Sequence, residues 1–147
     1  MTLRKRILLV DDDRDFVEAT TAVLESICEV DVAYGGAEGL ARARVSKPDL
    51  ILLDVIMPDG DGFAVCDQLK ADPQLTAVPV IMLTSMPAGL GPTDRTECVS
   101  QAQDYLEKPI RHVELLRRVK RLLYLTSLAI CAIRPHIILI TLKKETG

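Results

Sequence analysis

Short aliphatic runs, each closed at its C-terminal end by a charged or hydroxyl residue, constrain this chain more than any other feature. Ile7-Leu8-Leu9-Val10 runs into Asp11-Asp12, and Leu50-Ile51-Leu52-Leu53 into Asp54. Val80-Ile81-Met82-Leu83 ends at Thr84, and Tyr105-Leu106-Glu107 at Lys108-Pro109. Runs without a polar alternation suit strands covered on both faces, the condition of a parallel sheet flanked by helices. Between them apolar residues recur at helical spacing, as in Phe16, Thr20, Val23, Leu24 and Ile27. Residues 30–34 read as another strand; 37–45, 63–70 and a long stretch from His112 read as helices. Lys47-Pro48 and Asp72-Pro73 mark turns, because the residue before proline avoids the helical region. Five strands alternating with five helices predict an α/β fold, a doubly wound parallel sheet with helices on both faces.

In an open sheet of this kind, ligands bind outside the carboxyl ends of the strands. Asp11, Asp12 and Asp54 gathered there would repel one another, so a divalent cation is their natural occupant. A lysine and a hydroxyl alongside suit a second anion, such as a phosphoryl group. The pattern therefore points to metal-assisted phosphoryl chemistry. Asp13 stands where an N-cap is preferred, ahead of the first helix, and Asp15 reads as a solvated helix residue. One stretch fits poorly: residues 86–92 are too rich in Gly and Pro for a regular helix, so the fourth helix is expected to begin near Thr93 or Asp94.

Composition narrows the partners. A net charge of −3 gives no electrostatic footprint for direct binding to nucleic acid or anionic lipid, and five aromatic residues with no Trp make a poor stacking platform. Cys28, Cys66, Cys98 and Cys131 contain no C-x-x-C pair and are expected to be reduced, as in a cytoplasmic protein. The N-terminus lacks the apolar stretch of a signal peptide. The apolar stretch from Leu122 is broken by Arg134, Pro135 and His136, so no membrane span is expected.

Read together, four pieces resemble the receiver domain of two-component response regulators. They are Ile7-Leu8-Leu9-Val10-Asp11-Asp12-Asp13, Leu53-Asp54-Val55-Ile56-Met57-Pro58 with Gly62 beyond, Met82-Leu83-Thr84-Ser85, and Tyr105-Leu106-Glu107-Lys108-Pro109. No single piece is decisive; the ordered set is specific. The resemblance implies a five-stranded flavodoxin-like sheet of order 2-1-3-4-5, with a receiver domain over residues 4–124. Residues 125–147 would form a C-terminal extension without an effector domain.

The resemblance also implies roles. Asp54 would be the phosphoacceptor, and Asp11, Asp12, Asp54 and the backbone carbonyl of Ile56 would hold Mg²⁺. Thr84 and Lys108 would contact phosphoryl oxygens, and Thr84 with Tyr105 would form the conformational switch. Pro58 and Gly62 would shape the loop after Asp54. Pro109 would fix the turn that aims Lys108, through a Lys-Pro bond that is usually cis in this family. The expected partners are a sensor histidine kinase or phosphotransfer protein and a downstream protein target. The expected chemistry is limited to phosphorylation and dephosphorylation of the chain itself, making it a signalling switch rather than a conventional enzyme.

Some positions depart from the family pattern. Gln101 stands where a glycine is common, Ser85 where alanine is commonest, and the Gly/Pro segment after Thr84 is about two residues long in excess. Apolar Ile56 and Met86 flank the path of an attacking water, which predicts slow autodephosphorylation. After Leu123 only 24 residues remain, too few for an output module, so a stand-alone receiver or a piece of a larger regulator is expected.

In that C-terminal stretch Leu116, Val119, Leu123, Thr126, Ile130 and Ile133 follow a coiled-coil-like spacing that favours a homodimer through the last helix. Arg134-Pro135 should stop the helix, and residues 136–142 read as a short strand or apolar tail. Two alternatives stand beside this reading: a pseudo-receiver serving only as a binding module, and a haloacid-dehalogenase-like phosphatase using Asp11 and Asp13. The latter is disfavoured because Asp15 replaces the Thr or Val of that signature and Asp54 would have no role.

Overall fold

The computed structural model describes residues 4–85 and 102–131. Its elements in chain order are β1 (Arg6–Val10), α1 (Arg14–Leu24), β2 (Glu29–Ala33), α2 (Gly36–Ser46), β3 (Leu50–Asp54), β4 (Ile56–Met57), β5 (Gly60–Asp61), α3 (Gly62–Ala71), β6 (Val80–Thr84), β7 (Asp104–Glu107) and α4 (His112–Cys131). β4 and β5 form a small antiparallel hairpin that the sequence reading did not foresee. The other five strands are all parallel, in the order β2-β1-β3-β6-β7. Leaving out the hairpin, that is the expected 2-1-3-4-5 arrangement.

Alternation along the strands divides the core into two layers. Leu8, Val10, Ile51, Leu53, Val80 and Met82 face α2 and α3, where Leu40, Ala43, Phe63, Cys66 and Leu69 meet them. Ile7, Leu9, Leu50, Leu52, Ile81 and Leu83 face α1 and α4 through Val17, Leu24, Leu115, Val119 and Leu123. The central strands are buried on both sides, which is why their sequences show no polar alternation. Cys28 and Cys66 are free thiols buried in opposite layers, so the sheet itself separates them.

Local signals set the helix ends. Asp13 caps α1 as expected, accepting from the N–H groups of Asp15 and Phe16 at 3.1 and 3.2 Å, an interaction worth about 1 kcal/mol. α2 ends at Lys47 in the left-handed conformation, its N–H donating to the Ala43 carbonyl, immediately before Pro48. Asp61 caps α3 by accepting from the Phe63 N–H at 2.8 Å.

The buried stripe of α1 runs through Val17, Thr20 and Leu24, with Phe16 only half-buried at its edge. On α4 the inward stripe is Leu115, Val119 and Leu123. Of the expected coiled-coil-like seam, Val119 and Leu123 pack into the protein's own core and half-buried Leu116 packs against it; the side chains of the rest of the seam lie outside the described residues. Arg118 holds α4 against β7 with Nη1 donating to both Asp104 carboxylate oxygens at 2.6 and 2.7 Å, while its Nε donates to Glu114 at 2.7 Å. The helix continues to Cys131, through the expected boundary at 124/125. No described helix is long and apolar enough to cross a membrane. The Gly/Pro segment, the fourth helix of the sequence reading, Met86, Gln101, the stop at Arg134-Pro135 and the apolar tail lie outside the described residues.

Candidate functional site

Strand register builds the site. Val10 pairs with Leu53 in the parallel ladder of β1 and β3, so Asp11 and Asp54 leave adjacent strands side by side. The Asp11 N–H donates to the Ala33 carbonyl and the Val55 N–H to the Leu83 carbonyl, at 3.0 and 2.9 Å, extending the ladders to the sheet edge. Asp11 is fully buried and Asp54 is 5% exposed, while Asp12 faces solvent. Ligand oxygens of Asp11, Asp12 and Asp54 all lie within 4.8 Å of one another.

Lys108, the residue after β7, completes the cluster. Its backbone N–H donates to the Thr84 carbonyl at 2.7 Å, which ties the ends of β6 and β7 together. Its ammonium lies 2.6 Å from Asp11 Oδ2 and 3.5 Å from Asp54 Oδ1. The Lys108–Pro109 peptide bond is cis, as the resemblance implied. Asp11 also accepts from the Asp13 N–H at 2.9 Å, so its two oxygens are fixed from opposite directions.

Two carboxylates and one ammonium leave the buried charge unbalanced. Burial, then the neighbouring Asp11 carboxylate, push the Asp54 carboxyl up to about 6, with Lys108 acting in the opposite direction. Hard oxygen donors clustered beside a buried, uncompensated negative charge suit an oxygen-preferring divalent cation. The donor set therefore fits the metal that the sequence pattern called for.

The remaining expected residues surround this centre. Ile56 is 55% exposed on β4. Pro58 and Asp59 make the hairpin turn, and Gly62 opens α3 with its N–H donating to the Val55 carbonyl at 2.7 Å. Thr84 is half-buried at the end of β6. Tyr105 pairs in register with Met82 and packs on the α2/α3 layer; alternation places Thr84, two residues after Met82, on the same face. The sequence reading missed Phe16 as a neighbour of the site, taking it only for a core-facing helix residue. Its ring lies 4.2 Å from the Lys108 ammonium, a cation–π contact that helps hold that charge beside the acids. Asp13 is engaged in capping α1, which leaves the phosphatase alternative without its second acid.

A family model described as the response regulator receiver domain matches residues 7–120. The chain belongs to that family. Among curated relatives, the response regulator PleD of Caulobacter vibrioides is 43% identical over 123 residues, covering 80% of this chain and 26% of PleD. The DNA-binding response regulator MtrA of Mycobacterium tuberculosis is 39% identical over 124 residues, covering 81% of this chain and 50% of MtrA. The chain thus spans about a quarter to a half of these relatives' length. Among solved structures, a CheY-like response regulator receiver domain protein from Methanospirillum hungatei superposes with a TM-score of 0.76 at 28% identity, covering 86% of this chain and 98% of that one. The receiver assignment thus has support from sequence and from architecture. The expectation that nucleic acid plays no part draws no support from MtrA, a DNA-binding protein as a whole.

Proposed function

We propose that this receiver accepts a phosphoryl group on Asp54 from a histidine kinase or phosphotransfer protein in the cytoplasm, and passes the signal by changing its protein contacts. The observation that carries the reading is the placement of buried Asp54 beside Asp11, Asp12 and the Lys108 ammonium at one sheet edge. An Asp54 oxygen would attack phosphorus as the P–N bond to a donor imidazole breaks, leaving an acyl phosphate. With its carboxyl at about 6, Asp54 is roughly nine-tenths ionised at pH 7 and remains a competent nucleophile.

Asp11, Asp12, Asp54 and the carbonyl of Ile56 would hold Mg²⁺, which when bound supplies positive charge to the transferring group. Lys108, already steered by Asp11 and Phe16, would pair with a phosphoryl oxygen, and the Thr84 hydroxyl would bond another. Thr84 and Tyr105 share a sheet face, so a shift of Thr84 toward the new charge would open space for the Tyr105 ring. Such a change selects the conformer in which the added charge is bonded.

Incubation with acetyl phosphate and Mg²⁺ is expected to give one acid-stable, base-labile phosphate per chain, and none in Asp54→Asn. Equal labelling of that variant would end the reading. Turnover of many phosphomonoesters would mark a phosphatase instead, and no label on the parent a pseudo-receiver.

Lifetime provides a second check. Exposed, apolar Ile56 beside the acid offers water no bonding partner, and Met86 is expected to act likewise. Ile56→Asn with Met86→Glu should shorten the acyl-phosphate half-life by about tenfold, measured as loss of label with Mg²⁺ present after the phosphoryl donor is removed; that is less than the ~10²–10⁴ of a fully aligned general base. An unchanged half-life would remove both residues from control of hydrolysis.

A further inference from the structure

We propose that Asp59 is a positioning residue for the metal-dependent step, fastening the loop that carries Ile56 to the N-terminus of α2. The inference rests on the roles given above to Asp54, Asp11, Asp12 and Ile56.

α2 has no cap of its own, because Gly35 at the N-cap offers no side-chain acceptor. Asp59 supplies one from 23 residues away in sequence: Oδ1 accepts from the Gly36 N–H at 3.1 Å and Oδ2 from the Ala37 N–H at 3.3 Å. Those two bonds hold the Asp59 carboxyl below its ordinary range, as expected for an anion at the positive end of a helix dipole. The lack of a side chain at position 35 is part of the fit. A Cβ there would sit 2.8 Å from Asp59 Oδ2 and 3.2 Å from Oδ1.

The hairpin needs this attachment. Its ladder consists of two residue pairs, Ile56 with Asp61 and Met57 with Gly60, and a ladder so short does not sustain itself. The root is held by the bond from Gly62 to Val55 and by the Asp61 cap on α3, and buried Met57, paired with Gly60, adjoins the tip. The tip, formed by Pro58 and Asp59, is held to α2 through the Asp59 carboxylate. Ile56 lies between root and tip. Releasing the tip would leave the fold intact and loosen the segment that lends its carbonyl to the metal. Groups that orient a metal ligand from one step outside typically change affinity by about 10- to 100-fold when lost.

The test measures Mg²⁺ binding by NMR titration and amide hydrogen exchange at Gly36 and Ala37 in the full chain. It compares the parent with Asp59→Ala, Asp59→Asn, Gly35→Ala and the Gly35→Ala/Asp59→Ala double variant. Asp59→Ala should speed exchange at both amides and weaken Mg²⁺ binding about tenfold. Asp59→Asn keeps an acceptor oxygen and should stay within about threefold of the parent. Gly35→Ala should weaken binding alone but add nothing to Asp59→Ala, since its Cβ then meets no carboxylate. Parent-like Mg²⁺ affinity in Asp59→Ala, even with lowered thermal stability, would reduce Asp59 to a structural cap and overturn the inference alone. A parent that binds no Mg²⁺ would overturn the proposed function as well.

Discussion

Asp54→Asn is expected to stabilise the metal-free protein by about 3 kcal/mol at pH 7.5, even as it abolishes phosphorylation. The cause is the environment of the parent carboxylate. Burial and the adjacent Asp11 raise Asp54 from an ordinary 3.8 to about 6, despite the Lys108 ammonium 3.5 Å away. A folded-state value above the unfolded one means that the folded protein holds this proton more tightly. The associated stability is fully present below about pH 4 and is lost as pH rises through 6; above that, the whole penalty applies.

Asparagine keeps the shape and carries no charge. The gap between variant and parent in urea unfolding should therefore be full at pH 7.5 and shrink between pH 6 and pH 4. Saturating Mg²⁺ should also narrow it, because a ligand bound only by the folded state stabilises that state by mass action. A gap of opposite sign at pH 7.5, or one independent of pH, would show that Asp54 does not bear this cost. The predicted penalty and the predicted chemistry have one origin: the negative charge that makes the clustered carboxylates unfavourable without a cation is what would attract one and attack phosphorus.

The sheet was legible because its central strands are buried on both faces, and continuous aliphatic runs such as residues 50–53 have few other uses. The charged centre was legible for a related reason. Asp11, Asp54 and Lys108 follow strand ends, and parallel strands deliver such residues to one edge. Strand order was a different matter, since periodicity does not state which strand lies beside which; the family resemblance supplied it.

Helix faces were read less well, and the errors are instructive. On α1 the half-buried Phe16 was taken for core while buried Val17 was passed over. A helix turns about 100° per residue, so neighbouring apolar positions at the stripe's edge compete, and the cation of Lys108 settles where the Phe16 ring lies. On α4 the same ambiguity set Leu116 ahead of Leu115. The Asp59 cap left no local signature, because the helix it serves precedes it by 23 residues. Capping rules look a few residues along the chain, and this cap acts across the fold.

Gly62→Ala should be the most damaging single methyl in the described part of the chain, costing about 3 kcal/mol and lowering the melting temperature by roughly 10 °C. An added Cβ would be driven into the Asp54 carbonyl oxygen and would lie 2.8 Å from Val55 Cα. Both obstacles are backbone atoms, so no rotamer change relieves them. The Gly62 N–H is also bonded to the Val55 carbonyl at 2.7 Å, which leaves the start of α3 no freedom to back away without breaking the loop closure. Gly35→Ala provides the comparison, since the atoms nearest its Cβ belong to the carboxylate of Asp59, which can rotate at a cost nearer 1 kcal/mol. Thermal unfolding of the two variants side by side should therefore separate them clearly. The fraction of Gly62→Ala that does fold should label more slowly, because the displaced backbone belongs to Asp54 itself. Stability within about 1 kcal/mol of the parent would mean that the loop after Asp54 yields to the methyl. A loop that soft could not hold Ile56 in register with the acids, and preorganisation of the metal site would have to come from the strands alone.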